Sequence, residues 1–500
     1  MLFHSVHFLL FFPIVVLAYF VLPRKVRMYW LLAASYYFYM CWNPVYSLLM
    51  LLSTVITYVS GLLIRRANET LEGEACVRQK KLWVGLSFGL NLAILFFFKY
   101  FNFAVENVVA LAARFGVTWQ KPTFDVLLPV GISFYTFQAL SYTMDVYRDE
   151  IKAEKNFFRY ALFVSFFPQL VAGPIERSKN LLSQLETPAK FSFERMRNGL
   201  LMMLWGFFQK MVIADRAAIW VDAVYNHFEG YTGWMLIIAT LLFAVQIYCD
   251  FGGYSCIAIG AADVLGIKLM QNFRQPYFAV SISDFWRRWH ISLSTWFRDY
   301  LYFPMGGSRC GWLRRSFNLL FTFIVSGAWH GASWTYIIWG ALNGLFQVIE
   351  RALRGIPAKL RKVCHLEDRY GKSFSRRLLK TLVTFLLINL TWVFFRAESL
   401  GDAAEILRRM FSVNNLWIFT DGTLFHMGLD VIEFWTLMAA IGVLFIVDLL
   451  HEKGIELRKK LYEQELWFRW FVYLIALFSI ILLGIYGEQY DASAFVYFQF

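Results

Sequence analysis

Charge is scarce in this 500-residue chain, of which only 17% is Asp, Glu, Lys or Arg. A soluble domain carries roughly 25%. Together with 59% hydrophobic residues and a mean hydropathy of +0.50, this excludes an ordinary soluble protein. Cysteine is sparse too. Cys41, Cys76, Cys249, Cys256, Cys310 and Cys364 include no C-x-x-C pair and no Cys/His group with zinc spacing, so neither a disulfide framework nor a metal site is expected. No G-x-S-x-G, Walker loop or H-E-x-x-H occurs, which leaves a serine-hydrolase mechanism within this chain unsupported. No internal repeat stands out, which weighs against a transporter built from two inverted halves.

What the chain has in abundance is apolar length. Apolar runs fall at 6–22, 28–42, 45–64, 82–98, 126–146, 157–173, 198–214, 234–249, 250–266, 316–329, 332–350, 378–394, 432–449 and 467–485. A bilayer crossing takes about 20 helical residues, so roughly 11 to 13 membrane helices plus re-entrant pieces are expected. The chain therefore reads as an all-α, multi-pass membrane protein. The run at 6–22 lacks a basic stretch before it and a small-residue cleavage site after it, and is expected to be a retained helix. Aromatic residues are many, with 19 Trp, 26 Tyr and 52 Phe, which suits interfacial belts, helix packing and cavity walls.

The formal charge of +13 sits in short loops between apolar runs, so positive-inside placement explains it and nucleic acid is not an expected partner. The basic segments 23–27, 65–81, 351–380 and 451–460 are predicted to be cytoplasmic, which puts both termini outside. One segment conflicts with that scheme: 396–431, on the predicted outer side, carries Arg396, Arg408 and Arg409.

Polar groups at membrane depth are the candidates for chemistry, because they are costly there and face a bundle interior or cavity. The first is His330, in VSGAWHGASW (325–334). Gly327 and Gly331 are four residues apart, on one face of a helix, and admit a close neighbour. On the residues alone, His330 is either a catalytic group or a histidine that only hydrogen-bonds an adjacent helix. The second is His290. SISDFWRRWHISLSTWFRDY (281–300) reads as one amphipathic helix capped by Ser283 or Asp284. On it Arg287, His290, Ser294 and Arg298 recur as a polar stripe. Two arginines flanking a histidine suit an anionic or phosphate-bearing ligand, although lipid head groups would also meet such a helix. In YCDFGGYSCIAIG (248–260) the Gly252–Gly253 pair is expected to break a helix, with Asp250 orienting a histidine or capping a half-helix. In 130–148, Gln138, Asp145 and Arg148 are further polar groups at depth.

Four stretches carry a resemblance: FFPQLVAGPIERSKNLLSQL (166–185), YCDFGGYSCIAIGAADVLGI (248–267), NFRQPYFAVSISDFWRRWHISLSTWFRDYLYFPMGG (272–307) and SGAWHGASWTYIIWGALNG (326–344). In these the chain resembles the membrane-bound O-acyltransferase family, and within it the bacterial branch typified by alginate O-acetyltransferase. The resemblance implies a single integral membrane domain over 1–500, with N-terminal helices at 1–120, a core at 121–350 and C-terminal helices and tail at 351–500. It implies roughly 11 crossings plus re-entrant and amphipathic helices around a central tunnel. The family's intramembrane histidine maps onto His330 and its second histidine onto His290, with Arg287, Ser294, Arg298 and Asp250 as tunnel or donor-binding candidates. The closing FVYFQF matches an F-x-Y-x-x-F pattern through Phe495, Tyr497 and Phe500, which implies Tyr497 as an acyl relay, against the simpler reading of an interfacial aromatic tail.

The implied activity is passage of an acyl group, acetyl foremost, from a cytoplasmic thioester across the membrane for O-acylation of an extracellular polysaccharide. The donor would be acetyl-CoA or an acylated carrier protein, with no bound cofactor and no metal. The expected setting is the plasma or inner membrane, with membrane lipid around the chain. The expected partners are an extracytoplasmic serine-hydrolase-like acyltransferase and a carrier protein on the cytoplasmic side. Two rivals stand beside this: D-alanyl transfer to teichoic acid, and a transporter or flippase for an acyl donor or lipid-linked sugar.

Overall fold

The computed structural model describes residues 1–119, 128–353 and 373–486. Every regular element among them is helical. Among the described residues, six helices are long and apolar enough to cross a bilayer: Pro44–Thr70, Gly73–Arg114, Trp234–Val264, Phe374–Arg396, Val431–Glu452 and Leu466–Leu483. Val6–Val21 is apolar but shorter. Length and composition thus single out fewer helices than the roughly 11 crossings expected from the apolar runs, because several runs fold as short or interrupted helices such as Phe157–Ser165 and Phe167–Leu170.

The chain forms two compact units, one of Met1–Met203 with Ser255–Met270 and the other of Leu204–Tyr254 with Gln271–Phe500. In the first, small polar side chains tie apolar helices together, as membrane helices require. Ser53 donates to Asn91 at 2.6 Å and Tyr160 to Thr57 at 2.7 Å. The polar groups at 130–148 serve the same purpose. Gln138 donates to the Phe163 carbonyl, and Asp145 accepts from Ser178. Glu176, within AGPIERS, is fully buried and accepts from the Met270 amide and from Asn180.

The second unit is built on aromatic packing. Trp286, Trp289, Trp339, Trp392, Phe285 and Phe395 pack ring against ring. Beside them, Trp312–His330 and Trp334–Leu353 form a tight hairpin. A Cβ on Gly327 would stand 2.2 Å from the Tyr336 carbonyl oxygen, and one on Gly331 equally close to the Tyr336 ring. The small residues of VSGAWHGASW therefore let the returning helix close on the histidine, although Gly331 lies just past the helix end in extended backbone.

Two sequence expectations fail here. Residues 234–266 are not two spans broken at Gly252–Gly253. Trp234–Val264 is one continuous helix of 31 residues. Gly253 marks a close approach instead, since its Cβ would meet the Gly206 carbonyl at 2.7 Å. Asp250 consequently caps nothing. It is buried mid-helix, 2.6 Å from Lys210 Nζ, which also reaches Asp215 at 2.8 Å. Nor is 281–300 one amphipathic helix. It holds two short helices, Ile282–Phe285 capped by Ser281, and Ile291–Phe297, with His290 between them in the left-handed region at φ 44°. The interruption has a tertiary cause. The extended segment before it captures two backbone groups that a continuous helix would need: Ile291 N donates to the Asn272 carbonyl, and the Arg288 carbonyl accepts from Arg274 N. Arg287, His290, Ser294 and Arg298 therefore do not form one stripe.

The three arginines that conflicted with the loop-charge scheme are matched by carboxylates. Arg396 reaches Asp222 at 2.6 Å, and Arg408 and Arg409 both reach Glu405 at 2.7 Å.

Candidate active site

His330 is the last residue of its helix and is 4% exposed. Its ring lies edge-on to Trp339 at 5.0 Å and to Trp329 at 5.1 Å, with Phe395 at 5.6 Å. His290, fully buried, lies 6.3 Å away between ring centroids. It packs against Phe251 at 4.7 Å and Trp329 at 6.1 Å. Forty residues of chain separate the two histidines, and the fold brings them into one aromatic-walled centre. Such walls exclude water, and electrostatic interactions are stronger in a dry site than in bulk solvent.

The turn that carries His290 is held by charge. Arg288 grips Glu452 at 2.6 Å and Asp284 at 3.1 Å, and Glu452 also takes Arg377 at 2.6 Å. Glu350, near the end of Trp334–Leu353, accepts from the Ser283 amide at 3.2 Å. Three helices, Trp334–Leu353, Phe374–Arg396 and Val431–Glu452, thereby fix one short segment.

Next to this turn is a cavity of about 180 Å³ whose lining includes Ser283, Arg287, Ser294, Ser326, Gln347 and Arg351. Ser326 is one helical turn before His330. Two guanidinium groups with hydroxyls and an amide form a donor-rich wall suited to an anion or a polar arm. Of the sequence candidates, Arg287 and Ser294 meet here. Arg298 does not, since it pairs with Asp299 at 2.7 Å and lies half-exposed over Phe303. Asp250 also stands outside the cavity lining, engaged with Lys210, although the residue after it, Phe251, touches His290. Tyr497, with Phe495 and Phe500, lies outside the described residues.

Sequence reasoning missed Asn272, Lys210 and Arg351. Lys210 had a signal, being an ionisable group inside the apolar run 198–214. Arg351 adjoins the run that ends at Glu350 and was counted only as loop charge. Asn272 had no signal of period or motif; only the fold shows it fully buried beside His290.

A buried histidine pair walled by aromatic rings, beside a donor-rich cavity, is equipped for proton transfer within a membrane, and comparison with known proteins gives the class. The sequence model of the membrane-bound O-acyltransferase family matches residues 148–362, which include both histidines and the cavity. The chain belongs to this family, and it is a multi-pass membrane enzyme that transfers acyl groups to oxygen. Its relatives narrow the branch. It is 41% identical over 412 residues to the probable alginate O-acetylase of Pseudomonas putida, covering 82% of this chain and 79% of the relative. It is 34% identical over 457 residues to the peptidoglycan O-acetyltransferase of Helicobacter pylori, covering 85% and 81%. To the teichoic acid D-alanyltransferase of Bacillus subtilis it is 27% identical over 244 residues, covering 45% of this chain and 60% of the relative.

Proposed function

We propose that this enzyme moves an acetyl group from a thioester donor made in the cytoplasm onto an extracytoplasmic polysaccharide, with His330 and His290 at the transfer point. The observation that carries the proposal is the meeting of the two histidines at 6.3 Å inside one aromatic wall. His330 is the general base. It takes the proton from an acceptor hydroxyl as the oxygen attacks the thioester carbonyl. The C–S bond then breaks, and the departing thiolate recovers a proton. Positioned proton transfer of this kind contributes about 10²–10⁴-fold.

Arg287 and Ser294, with Arg351, receive the anionic or polar part of the donor, which is acetyl-CoA or an acylated carrier protein. The acceptor hydroxyl is that of Tyr497, on the outer side, and an extracytoplasmic serine-hydrolase-like partner delivers the group from it to the polymer. Acetyl is preferred over D-alanyl because the O-acetyltransferase relatives align over most of this chain, whereas the D-alanyltransferase aligns over less than half of it. The test is the mass of the acid that mild base releases from the polymer of cells carrying the enzyme. Acetate is expected; D-alanine would overturn the donor assignment. Tyr497→Phe is expected to abolish polymer acylation, and retained acylation would reduce the tail to an interfacial anchor.

A further inference from the structure

His290 is a neutral-or-charged imidazole with two distinct nitrogens, and which one holds the proton decides what the ring can do. The surroundings of Asn272 settle that question. Its Oδ1 lies 3.2 Å from the Ser292 amide nitrogen, 2.9 Å from Ser292 Oγ and 3.2 Å from His290 Nδ1. A backbone N–H only donates, so the amide atom facing all three groups is the oxygen and not the nitrogen. An amide oxygen only accepts, so Nδ1 must be the donor. In the neutral ring the lone pair is then on Nε2. The arrangement is rigid. Asn272 and Ser292 are both fully buried. The backbone bonds from Ile291 N to Asn272 O and from Arg274 N to Arg288 O, each 2.9 Å, pin the two segments together. His290 itself adopts the left-handed conformation, in which histidine is several-fold enriched among non-glycine residues.

We propose that Asn272 is a positioning residue that holds His290 as its Nδ1–H tautomer, so that Nε2 accepts a hydrogen bond from an amide N–H of the donor's thiol arm. This rests on the proposed function, which puts His290 at the transfer point that the donor's thioester must reach. With the opposite tautomer, Nε2–H would face that N–H, and two donors would oppose each other in a dry site. Loss of one hydrogen bond to a buried group costs about 1–3 kcal/mol, or roughly fivefold to 150-fold in binding.

The experiment uses the full-length protein in bilayers with 15N-labelled histidine. The His290 resonances are identified by their absence in His290→Gln. The wild type is expected to show a protonated Nδ1 and an unprotonated Nε2. Asn272→Leu is expected to lose that tautomer's dominance and to raise the KM for the acyl thioester by about fivefold or more, with a smaller change in kcat. A wild-type His290 protonated on Nε2 overturns the inference, and this result needs no variant to fold. A wild type with the expected tautomer, together with an Asn272→Leu that changes the tautomer but not the KM, overturns the role of His290 in meeting the donor and leaves the tautomer assignment standing.

Discussion

At the scale of single residues, chemistry and solvation set what each polar group can do. Arg287 and Arg351 share a cavity with three serines and Gln347. A guanidinium that holds an anionic donor contributes to ground-state and transition-state binding alike, so its loss should appear in KM. Arg287→Ala is expected to raise the donor KM on the order of tenfold with kcat little changed, as charge-assisted hydrogen bonds are worth about 1.5–3 kcal/mol; Michaelis kinetics at fixed acceptor measure this. His330 was legible in the sequence because a polar residue in an apolar stretch needs a reason, whereas Arg287 and Ser294 were named from a helical stripe that does not form and still share the cavity. Asn272 was not, because its only role is to meet a side chain 18 positions away. Asp250 was legible as a polar group at depth, expected to orient a histidine or cap a half-helix, but its pairing with Lys210 was not, since that partner lies 40 residues earlier.

At the scale of elements, the chain shows how tertiary demand overrides local pattern. The stretch 281–300 has a helical stripe in its sequence, yet backbone capture by residues 272–274 breaks it at His290. The Gly252–Gly253 pair reads as a breaker, yet the helix runs through it because its bare surface admits the Gly206 backbone. Helix packing of this kind tolerates no added carbon. Gly327→Ala would place a methyl 2.2 Å from the Tyr336 carbonyl. Overpacking costs about 1–3 kcal/mol, so a lowered melting temperature in detergent is expected, with activity falling as the hairpin shifts. The buried Lys210–Asp215–Asp250 group makes a directional prediction. Lys210→Met leaves two buried carboxylates facing each other, whereas Asp250→Asn leaves one matched pair. Breaking a buried pair costs about 3–5 kcal/mol. Lys210→Met is therefore expected to lower the thermal midpoint more than Asp250→Asn does, and the reverse order would refute this account of the triad.

At the scale of the whole molecule, composition together with the length of the apolar runs made the membrane class and the helical fold legible. The number of crossings was less legible, because apolar runs that fold as short or interrupted helices count the same as spanning ones in a hydropathy reading. The loop-charge scheme places the end of the second span outside and the loop 65–81 in the cytoplasm. Cys41 is exposed and Cys76 half-buried, one in each of these places. In single-cysteine variants of intact cells, a membrane-impermeant maleimide is expected to label Cys41 and to spare Cys76 until the membrane is opened; the opposite pattern would invert the orientation. Arg396, Arg408 and Arg409, which stand against the scheme, share two carboxylates, Asp222 and Glu405.

The central claim is that the buried histidine pair performs acyl transfer, and it is tested most directly by the initial rate of ester formation from a labelled acyl thioester. The comparison is between wild type and His330→Ala, purified in detergent in equal amounts with the proposed extracytoplasmic partner present. Detergent removes transport from the reaction, so only chemistry is read. The account predicts that the variant, extracted and folded like the wild type, is slower by at least about a hundredfold. A variant rate within about threefold of wild type, below the smallest effect expected of a general base, would contradict it.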